Sequence, residues 1–449
     1  MAQNRPTIYL ILFVLTSLTS ISSFAQTFNS IFDFDLSDGA NPYYVSLVQG
    51  RDGASYGTTA NGGIANKGTV FKLATDGALT TLYNFCSLAN CTDGSYPFSG
   101  LVLGTDGYFY GTTSGGGDYG HGTVFKISVI GTLTTIHDFN GADGAGPYAG
   151  LIEAANGSFY GTTYLGGTVF KITSSGTFTN LHYFNGTDGS GPWESMIQAT
   201  NGNLYGTAIG GGADGWGVIF KVTSRGQFST LHSFAVDEGH YPYGGLLEAG
   251  DGSLYGTTSA GGDSNNGTLF RITLAGSLTT LYSFPKGAPR GALVEGSDER
   301  LYGATVGGGD GFGTIFSAAQ FGLRNLHVFE NSDGAFPTGL LQATTGTFYG
   351  TIGEGGKYGY GGIYSLDMGL GPFVAFVRGA GRVGQSGGIL GQGFTGTTSV
   401  SLNGVPATFT VVSNKYIRAT VPPGATTGYV TVATPSGTLT SNKKFIVLP

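Results

Sequence analysis

The sequence predicts an all-β fold, and three observations lead to that prediction. The chain of 449 residues contains 83 glycines, yet 40% of its residues are apolar and 13% are aromatic, a combination that disordered chains lack. Short runs rich in Thr, Val, Ile, Phe and Tyr alternate with Gly, Asn and Asp, which is typical of strands joined by turns. No stretch shows a sustained helical period.

One sequence unit recurs seven times and indicates the architecture. Each unit contains a Tyr-Gly-Thr-Thr string or a close variant, and successive strings lie 54, 50, 45, 50, 47 and 47 residues apart. Periods of this size indicate solenoids, propellers or arrays. Each unit also contains four strand-like segments, of which the first is an apolar pair such as Leu47-Val48. The sequence therefore predicts a seven-bladed β-propeller with four-stranded blades. The strings begin at Tyr56, Tyr110, Tyr160, Tyr205, Tyr255, Tyr302 and Tyr349.

The two ends of the repeat region predict how the ring closes. The segment around Ile31 and Phe34 has the pattern of a fourth strand but precedes the first complete unit, whereas the seventh unit leaves the pattern after its third strand. We therefore expect the N-terminal strand to pair with the strand at 362–366 and complete the last blade, which removes an open sheet edge. Six blades plus one degenerate blade is the alternative, because the sixth unit lacks an Asp-Gly turn.

The order of the strands places the long loops on one face. In an up-and-down blade, the connection from the fourth to the first strand and that from the second to the third emerge on the same side, and here they are the longest ones. Tight turns such as Asp106-Gly107 occupy the opposite face. Function concentrates on long loops held by a rigid frame. We therefore expect a binding site on the long-loop face.

The chain divides into three predicted parts. Residues 1–25 combine Arg5, an apolar run and a small-residue cleavage site, which indicates a signal peptide too short to span a bilayer. Residues 26–368 hold the repeats, and residues 370–449 follow a change in composition. No second long apolar run is present, so the mature chain is expected to lack a transmembrane segment. The expected location is extracellular or at the cell surface, with the periplasm as the alternative.

Charge and cysteine content argue against nucleic-acid binding and predict a disulfide. Only 10% of the residues are charged and the formal net charge is −7, which argues against the basic footprint of a nucleic-acid-binding protein. Cys86 and Cys91 are the only cysteines, and after export a disulfide between them is the expected state. The alternative, a thiol metal site or redox pair, lacks the usual spacing and further ligands. We expect a monomer without a cofactor.

The sequence offers no catalytic or metal-binding constellation. Four of the six histidines share one repeat position, which favours a role on the strand surface because a catalytic triad is asymmetric. The acidic segment 33–38 matches no complete calcium loop, and Asp-Gly turns explain such aspartates, with calcium binding as the alternative. Asp237, Glu238 and Glu194 are the unusual acids of the long loops. They lack an evident partner, so no catalytic residue and no metal site is predicted.

Aromatic residues of the long loops are the candidate ligand-binding residues. Aromatic rings beside Asp and Asn suit stacking on sugar rings while polar groups take the hydroxyls. The alternative is that these rings pack neighbouring loops together. Both tryptophans of the chain belong to the set. The candidates are Tyr119, Trp193, Trp216, Tyr241, Tyr243, Phe312, Tyr358 and Tyr360.

The repeats resemble the GloVer (Gloeo-Verruco) tandem repeat of "choice-of-anchor" exported bacterial proteins. The whole unit carries the resemblance, as in LHYFNGTDGSGPWESMIQATNGNLYGTAIGGGADGWGVIFKV from Leu181 to Val222. It extends over roughly residues 28–368. The resemblance implies export and a propeller-like array, and it supplies no catalytic residues. Many members end in a sorting anchor, and this chain shows none.

The C-terminal part resembles an IPT/TIG domain, an immunoglobulin-like β-sandwich. The matching segments are 391–394, 403–407, Val421-Pro422 and 428–432. Alternating apolar residues indicate half-buried strands. Domains of this type occur as spacers and interaction modules in surface proteins.

Two classes of function follow from these observations. The first is an exported non-enzymatic binding or adhesion protein, whose long-loop face recognises a polysaccharide or a cell-surface protein and whose C-terminal domain acts as a spacer or interaction module. The second is a secreted carbohydrate-active enzyme, a hydrolase or lyase, on a propeller scaffold. An enzyme of this kind needs paired carboxylates at a suitable separation. Because no such pair is evident, the sequence favours the first class.

Overall fold

A computed structural model describes residues 26–319 and 322–448. Within these segments, strands joined by turns and loops dominate, and a short 3-10 helix occupies Ala89–Cys91. No helix of these segments has the length and apolar character that crossing a lipid bilayer requires. The predicted signal peptide, residues 1–25, lies outside the described residues.

The repeats form seven antiparallel sheets, numbered here 1 to 7 in chain order, and sheets 1 to 5 have their strands in sequence order. Sheet 1 contains β2 (Val48–Gln49), β3 (Ser55–Thr59), β4 (Thr69–Leu73) and β5 (Leu79–Asn84). Sheet 2 contains β6 (Val102–Leu103), β7 (Phe109–Thr113), β8 (Thr123–Ile127) and β9 (Leu133–Asp138). Sheet 3 contains β10 (Ile152–Glu153), β11 (Phe159–Thr163), β12 (Thr168–Ile172) and β13 (Phe178–Tyr183). Sheet 4 contains β14 (Ile197–Gln198), β15 (Leu204–Ala208), β16 (Val218–Val222) and β17 (Phe228–Ser233).

Sheets 5 to 7 follow the same plan, except that sheet 6 has an additional strand and sheet 7 includes the N-terminal strand. Sheet 5 contains β18 (Leu247–Glu248), β19 (Leu254–Thr257), β20 (Thr268–Ile272) and β21 (Leu278–Ser283). Sheet 6 contains β23 (Val294–Glu295), β24 (Leu301–Val306), β25 (Thr314–Ala319) and β26 (Gly322–Val328), with β22 (Ala288–Pro289) as a further strand beside β24. Sheet 7 contains β27 (Ala335–Gln342), β28 (Phe348–Glu354), β29 (Gly362–Asp367) and the N-terminal β1 (Thr27–Asp33).

The N-terminal strand completes the last sheet. β1 pairs antiparallel with β29, with Thr27 opposite Asp367 and Asp33 opposite Gly362. This pairing confirms the expected contact between the N-terminal segment and the strand at 362–366. It also gives β29 a neighbour on both sides, so its backbone groups are paired.

The Tyr-Gly-Thr-Thr string builds the interior of each sheet. The ring of Tyr56 is fully buried, and its hydroxyl donates a 2.8 Å hydrogen bond to Asp52 in the preceding tight turn. Gly57 makes room for a neighbouring strand, because a methyl group there would lie 2.7 Å from the ring of Phe71. The first half of the string therefore serves packing within the sheet.

In sheets 1, 2, 4 and 7, the first threonine of the string joins the sheet to the next one. In sheet 1, Thr58 donates a 2.7 Å hydrogen bond to the carbonyl oxygen of Ser99, which precedes sheet 2. In sheet 7, Thr351 donates a 2.8 Å bond to the carbonyl oxygen of Val45, which precedes sheet 1. Because the second bond joins the last sheet to the first, the sheets form a closed ring.

The long loops of each sheet lie together, as the strand order predicts. The loop before the first strand forms a backbone bridge with the loop between the second and third strands in five of the sheets. The bridged pairs are Ala40 and Asn61, Ser95 and Gly115, Ala145 and Leu165, Ser190 and Gly210, and His240 and Ala260. These loops define one face of the ring, and the tight turns define the other.

A belt of polar side chains joins the sheets on the tight-turn face. At the end of the first strand of sheet 3, Glu153 accepts a 2.8 Å hydrogen bond from the backbone N–H of Thr105 in sheet 2. Gln49 of sheet 1 accepts a 3.0 Å bond from Thr344 of sheet 7 in the same way. Sheet 2 has Leu103 at this position. The belt consists of Gln49, Glu153, Gln198, Glu248, Glu295 and Gln342.

The C-terminal part forms two further sheets around a core of its own, which includes Phe394, Ile417 and Val432. One sheet contains β30 (Ala375–Phe376), β32 (Ser386–Leu390), β36 (Tyr416–Thr420) and β35 (Phe409–Ser413). The other contains β34 (Val405–Pro406), β33 (Ser399–Leu402), β37 (Val430–Thr434) and β38 (Gly437–Thr440). A short parallel pair consists of β31 (Ala380–Arg382) and β39 (Ile446–Leu448).

The C-terminal part packs on the tight-turn face of the ring. Leu390 and Tyr416 share a buried cluster with Leu103, the apolar exception in the belt. The guanidinium of Arg51 lies 4.7 Å from the centre of the Tyr416 ring and donates a 2.7 Å hydrogen bond to the carbonyl oxygen of Thr105. The C-terminal part therefore lies on the side of the ring opposite the long loops.

Candidate functional site

The chain that enters the first strand places one side chain at the long-loop mouth of the ring. In sheets 1 to 6, the first strand follows a buried apolar residue, such as Leu47 before β2 or Met196 before β14. Three positions before this apolar residue, sheets 1 to 5 carry an aromatic residue and sheet 6 carries an arginine. We call these residues the mouth cluster: Tyr44, Phe98, Tyr148, Trp193, Tyr243 and Arg290.

Trp193 is the centre of the mouth cluster. Its ring stacks on Tyr148 at a centroid distance of 5.0 Å, and it meets the edges of Tyr44 at 5.4 Å and Tyr243 at 5.6 Å. Tyr164, from a second long loop, lies 5.2 Å away. Tyr44 belongs to sheet 1 and Trp193 to sheet 4, which lie across the ring from each other. The indole therefore spans the mouth.

The rings of the mouth cluster are preorganised but accessible. Tyr44, Tyr148, Trp193 and Tyr243 are all half-buried, so each packs against its neighbours and still presents surface to solvent. An aromatic pair of this kind contributes about 0.5–1.5 kcal/mol beyond the area it buries. The cluster therefore offers an aromatic surface whose side chains lose little freedom when a ligand binds.

Arg290 is the cation of the mouth cluster. Its guanidinium lies 5.1 Å from the centre of the Tyr243 ring, which is within cation–π range. Its Nε is buried and has no hydrogen-bond partner. No described carboxylate forms an ion pair with it. Arg290 therefore keeps its capacity to bind an anion.

Glu194 follows Trp193 of the mouth cluster directly in the chain. The surrounding protein shields this carboxyl group from water, which disfavours its charged form and raises its pKa to about 7. A hydrogen bond from the backbone N–H of Ser195 opposes that shift. The hydrogen bond is 3.1 Å long. The side chain is half-buried. Near neutral pH, Glu194 can therefore act as either a hydrogen-bond donor or an acceptor.

The structure brings two of the predicted binding residues, Trp193 and Tyr243, into contact. Trp216 lies elsewhere, 4.6 Å from His240 and 5.9 Å from Tyr241 in ring-centroid distance, and packs against the core between sheets 4 and 5. Trp216 and Tyr241 thus form a second aromatic group in the outer loops.

The other predicted residues are distributed over separate loops. Tyr119, Tyr358 and Tyr360 are exposed, and Lys357 lies 4.8 Å above the ring of Tyr358. Phe312 is partly buried against the core of sheets 6 and 7. These side chains do not join the mouth cluster.

Sequence reasoning missed five residues of the site, namely Tyr44, Phe98, Tyr148, Tyr164 and Arg290. For all but Tyr164, the signal is the shared position three residues before the first apolar residue of each unit. Tyr164 gives no such signal, because its contact with Trp193 depends on how two loops meet in space.

The histidines of the repeat hold the Asp-Gly turns. His137 Nε2 lies 3.1 Å from Asp143, and the ring stacks on Phe178 of the next sheet at 3.9 Å. At the equivalent position, the Tyr83 hydroxyl donates a 2.8 Å bond to Asp93. The same pairing joins His182 to Asp188, His232 to Glu238 and His327 to Asp333. These contacts agree with the predicted strand-surface role.

The acidic turns and the cysteines also have local partners. The carboxylate of Asp35 accepts hydrogen bonds from the hydroxyl and backbone N–H of Ser37 at 2.6 and 3.0 Å. Across residues 26–319 and 322–448, no group of three or more His, Cys, Asp or Glu side chains is arranged to hold a metal ion. Cys86 and Cys91 form the predicted disulfide.

A closed ring of four-stranded antiparallel sheets defines a propeller-like protein. Residues 15–168 and 152–291 match the Gloeobacter/Verrucomicrobia repeat family. The chain belongs to this family. No curated protein matches the sequence.

Two solved structures show the same type of fold. A streptogramin B lyase is 16% identical, with a TM-score of 0.56 over 76% of this chain and 97% of that one. A catalytically inactive virginiamycin B lyase from Staphylococcus aureus, solved with quinupristin, is 15% identical, with a TM-score of 0.57 over 76% of this chain and 99% of that one. At this level of identity the likeness concerns the fold alone.

Proposed function

We propose that this chain is an exported, non-enzymatic binding or adhesion protein whose long-loop mouth recognises a carbohydrate. In this proposal, residues 1–25 direct export, residues 26–368 form a seven-bladed β-propeller, and residues 370–449 form an immunoglobulin-like sandwich of the IPT/TIG type. The half-buried aromatic surface around Trp193 is the observation that carries the proposal.

The chemistry of the mouth suits a sugar. The apolar face of a sugar ring stacks on an aromatic ring, while hydroxyl groups need nearby polar partners. Trp193, Tyr148 and Tyr243 supply the aromatic surface. The tyrosine hydroxyls and the guanidinium of Arg290 supply the polar groups of the mouth cluster. The C-terminal part, on the opposite face, leaves this surface free and can act as a spacer or interaction module.

Isothermal titration calorimetry of the protein from Gln26 onward with a panel of soluble polysaccharides tests the proposal, because its signal does not depend on either tryptophan. We expect Trp193→Ala to weaken binding at least tenfold (about 1.4 kcal/mol), because it removes the centre of the surface. Trp216→Ala is the matched control, since it removes the other tryptophan and leaves the mouth intact. If Trp216→Ala alone abolishes binding, the site lies in the outer loops. If no polysaccharide binds, the proposal is wrong.

Glu194 favours one alternative, a secreted carbohydrate-active enzyme. A carboxyl group with a pKa of about 7 suits a general acid at neutral pH, and Glu194 follows Trp193 directly in the chain. Release of reducing ends or loss of viscosity from any polysaccharide of the panel would reveal turnover. If turnover occurs and Glu194→Gln abolishes it while binding persists, the enzymatic function replaces the proposed one.

A further inference from the structure

We propose that the mouth selects polysaccharides that carry carboxylates, and that Arg290 binds the carboxylate. This inference rests on the proposed function and specifies its ligand class. Arg290 is the residue of the mouth cluster that can supply a positive charge.

The first argument is positional. Arg290 occupies the position at which sheets 1 to 5 place an aromatic ring. Packing alone would be served by another aromatic residue, as it is in those sheets. The sixth sheet instead supplies a planar cation whose parallel N–H groups match the two oxygens of a carboxylate.

The second argument is that Arg290 is held in place but not neutralised. The ring of Tyr243 supports its guanidinium at 5.1 Å, which limits the freedom that binding must remove. Its buried Nε has no partner, and a buried donor without a partner is costly to a folded protein. A carboxylate bound by the accessible part of the guanidinium would supply the missing counter-charge.

The third argument is the continuity of the surface. Arg290 contacts Tyr243, Tyr243 contacts Trp193 at 5.6 Å, and Trp193 stacks on Tyr148 at 5.0 Å. These separations are comparable to the width of a sugar ring. A sugar stacked beside Tyr243 would therefore present a substituent to Arg290 while the neighbouring sugars meet Trp193.

The charge of the mouth permits an anion. The protein as a whole is acidic, with a formal net charge of −7, so the attraction must be local. Glu194 follows Trp193 in the chain, and the surrounding protein raises its pKa to about 7, so a large share of its carboxyl groups is uncharged near neutral pH. The unpaired guanidinium is then the fixed charge of the mouth cluster.

Polygalacturonate and its fully methyl-esterified form provide the matched probes, since esterification removes the charge and keeps the sugar backbone. At fixed salt, we expect the wild-type protein to bind the free acid at least about tenfold more tightly than the ester. This ratio corresponds to the lower end of the free energy that a hydrogen bond to a charged group contributes. Arg290→Gln should abolish this preference, and Arg290→Lys should restore part of it. Arg225→Gln is the control, because Arg225 is exposed in a turn on the opposite face and its loss changes the net charge equally.

Each other outcome overturns the inference. Arg290 does not bind the carboxylate if the wild-type protein binds acid and ester equally. The same conclusion follows if Arg290→Gln leaves the preference for the acid intact. If these results accompany binding that Trp193→Ala abolishes, the proposed carbohydrate function stands without its acidic specificity. If neither polymer binds, the inference is wrong, and the neutral polysaccharides of the panel then decide the proposed function. Thermal melting of each variant separates loss of binding from loss of folding.

Discussion

Glu194 shows how one residue can depart from the chemistry of its repeat. Glu194 lies two residues before Met196, and at this repeat position the other sheets carry only small or uncharged side chains. These are Val45, Ser99, Ala149, Gly244, Gly291 and Thr338. A carboxyl group in this ring costs stability when it ionises, because the protein around it solvates a charge less well than water does. Retention of such a group favours a role at the mouth over a role in packing.

Glu194 should make stability depend on pH in a defined window. Its pKa rises from an ordinary value of 4.5 to about 7 in the folded protein. Between these two values, the folded state therefore holds a proton that the unfolded chain has released. The contribution of this proton to the free energy of unfolding is complete below pH 4.5 and is lost as the pH rises through 7. We expect the melting temperature of Glu194→Gln, relative to wild type, to rise between pH 4.5 and 7 and to level off above. Glu330→Gln, at an exposed site, should show no such rise; a constant difference for Glu194→Gln would contradict the prediction.

The sequence predicted the elements well because their signals are local. The alternation of apolar residues with Gly and Asp turns identified the strands, and the offset of one strand at the N terminus predicted the pairing of β1 with β29. The boundaries were less accurate. The apolar pair at Leu47 was predicted as the first strand, whereas β2 begins one residue later, because Leu47 fills the core before the ladder starts.

The mouth could not be predicted in the same way, because its contacts join distant units. Nothing in the local sequence shows that Trp193 reaches Tyr44 across the ring. Trp216 looked equivalent to Trp193 in sequence, yet it packs beside His240. The docking of Tyr416 against Leu103 depends on two surfaces that neither segment reveals alone.

Equivalent threonines of the strands offer a matched test of the bonds between sheets. The hydroxyl of Thr58 donates to the Ser99 carbonyl oxygen, whereas the hydroxyl of Thr162, at the same repeat position, is buried without a partner. We expect Thr58→Val to lower the free energy of unfolding by about 1 kcal/mol, the contribution of one hydrogen bond. Thr162→Val should leave it unchanged or raise it, because it removes an unsatisfied polar group. Denaturant unfolding measures both, and equal losses would show that the bond between sheets contributes nothing specific.

At the scale of the whole molecule, the C-terminal part packs against the ring. Tyr416 and Leu390 cover the apolar exception in the belt, and Arg378 lies 3.6 Å from Glu153 in the belt itself. Lys443 of the C-terminal part is exposed and lies within electrostatic range of Glu295 and Glu248 of the belt. The two parts therefore meet through apolar and charged contacts on one face.

Tyr416 should couple the unfolding of the two parts. Its side chain is 4% exposed, and truncation of a buried aromatic residue costs about 3–5 kcal/mol. We expect Tyr416→Ala to lower the melting temperature of the C-terminal part and to separate its transition from that of the ring in calorimetry. Tyr429→Ala is the control, because Tyr429 is 40% exposed on the same part. A single transition at the wild-type temperature would show that docking does not depend on Tyr416.

The pairing of β1 with β29 also sets an order of events during synthesis. The ribosome makes the strand that closes the ring first and its partner last, since Thr27 lies opposite Asp367. The earlier sheets can form from neighbouring segments as these emerge, but the last sheet cannot form until almost the entire repeat region has been made. Pairing β1 with β29 then closes the longest loop in the ring, which has the largest entropic cost of loop closure. Until then β1 is an unpaired strand, the kind of segment that associates with other chains. Nascent molecules that stall before residue 367 should therefore be the ones that aggregate or require a chaperone.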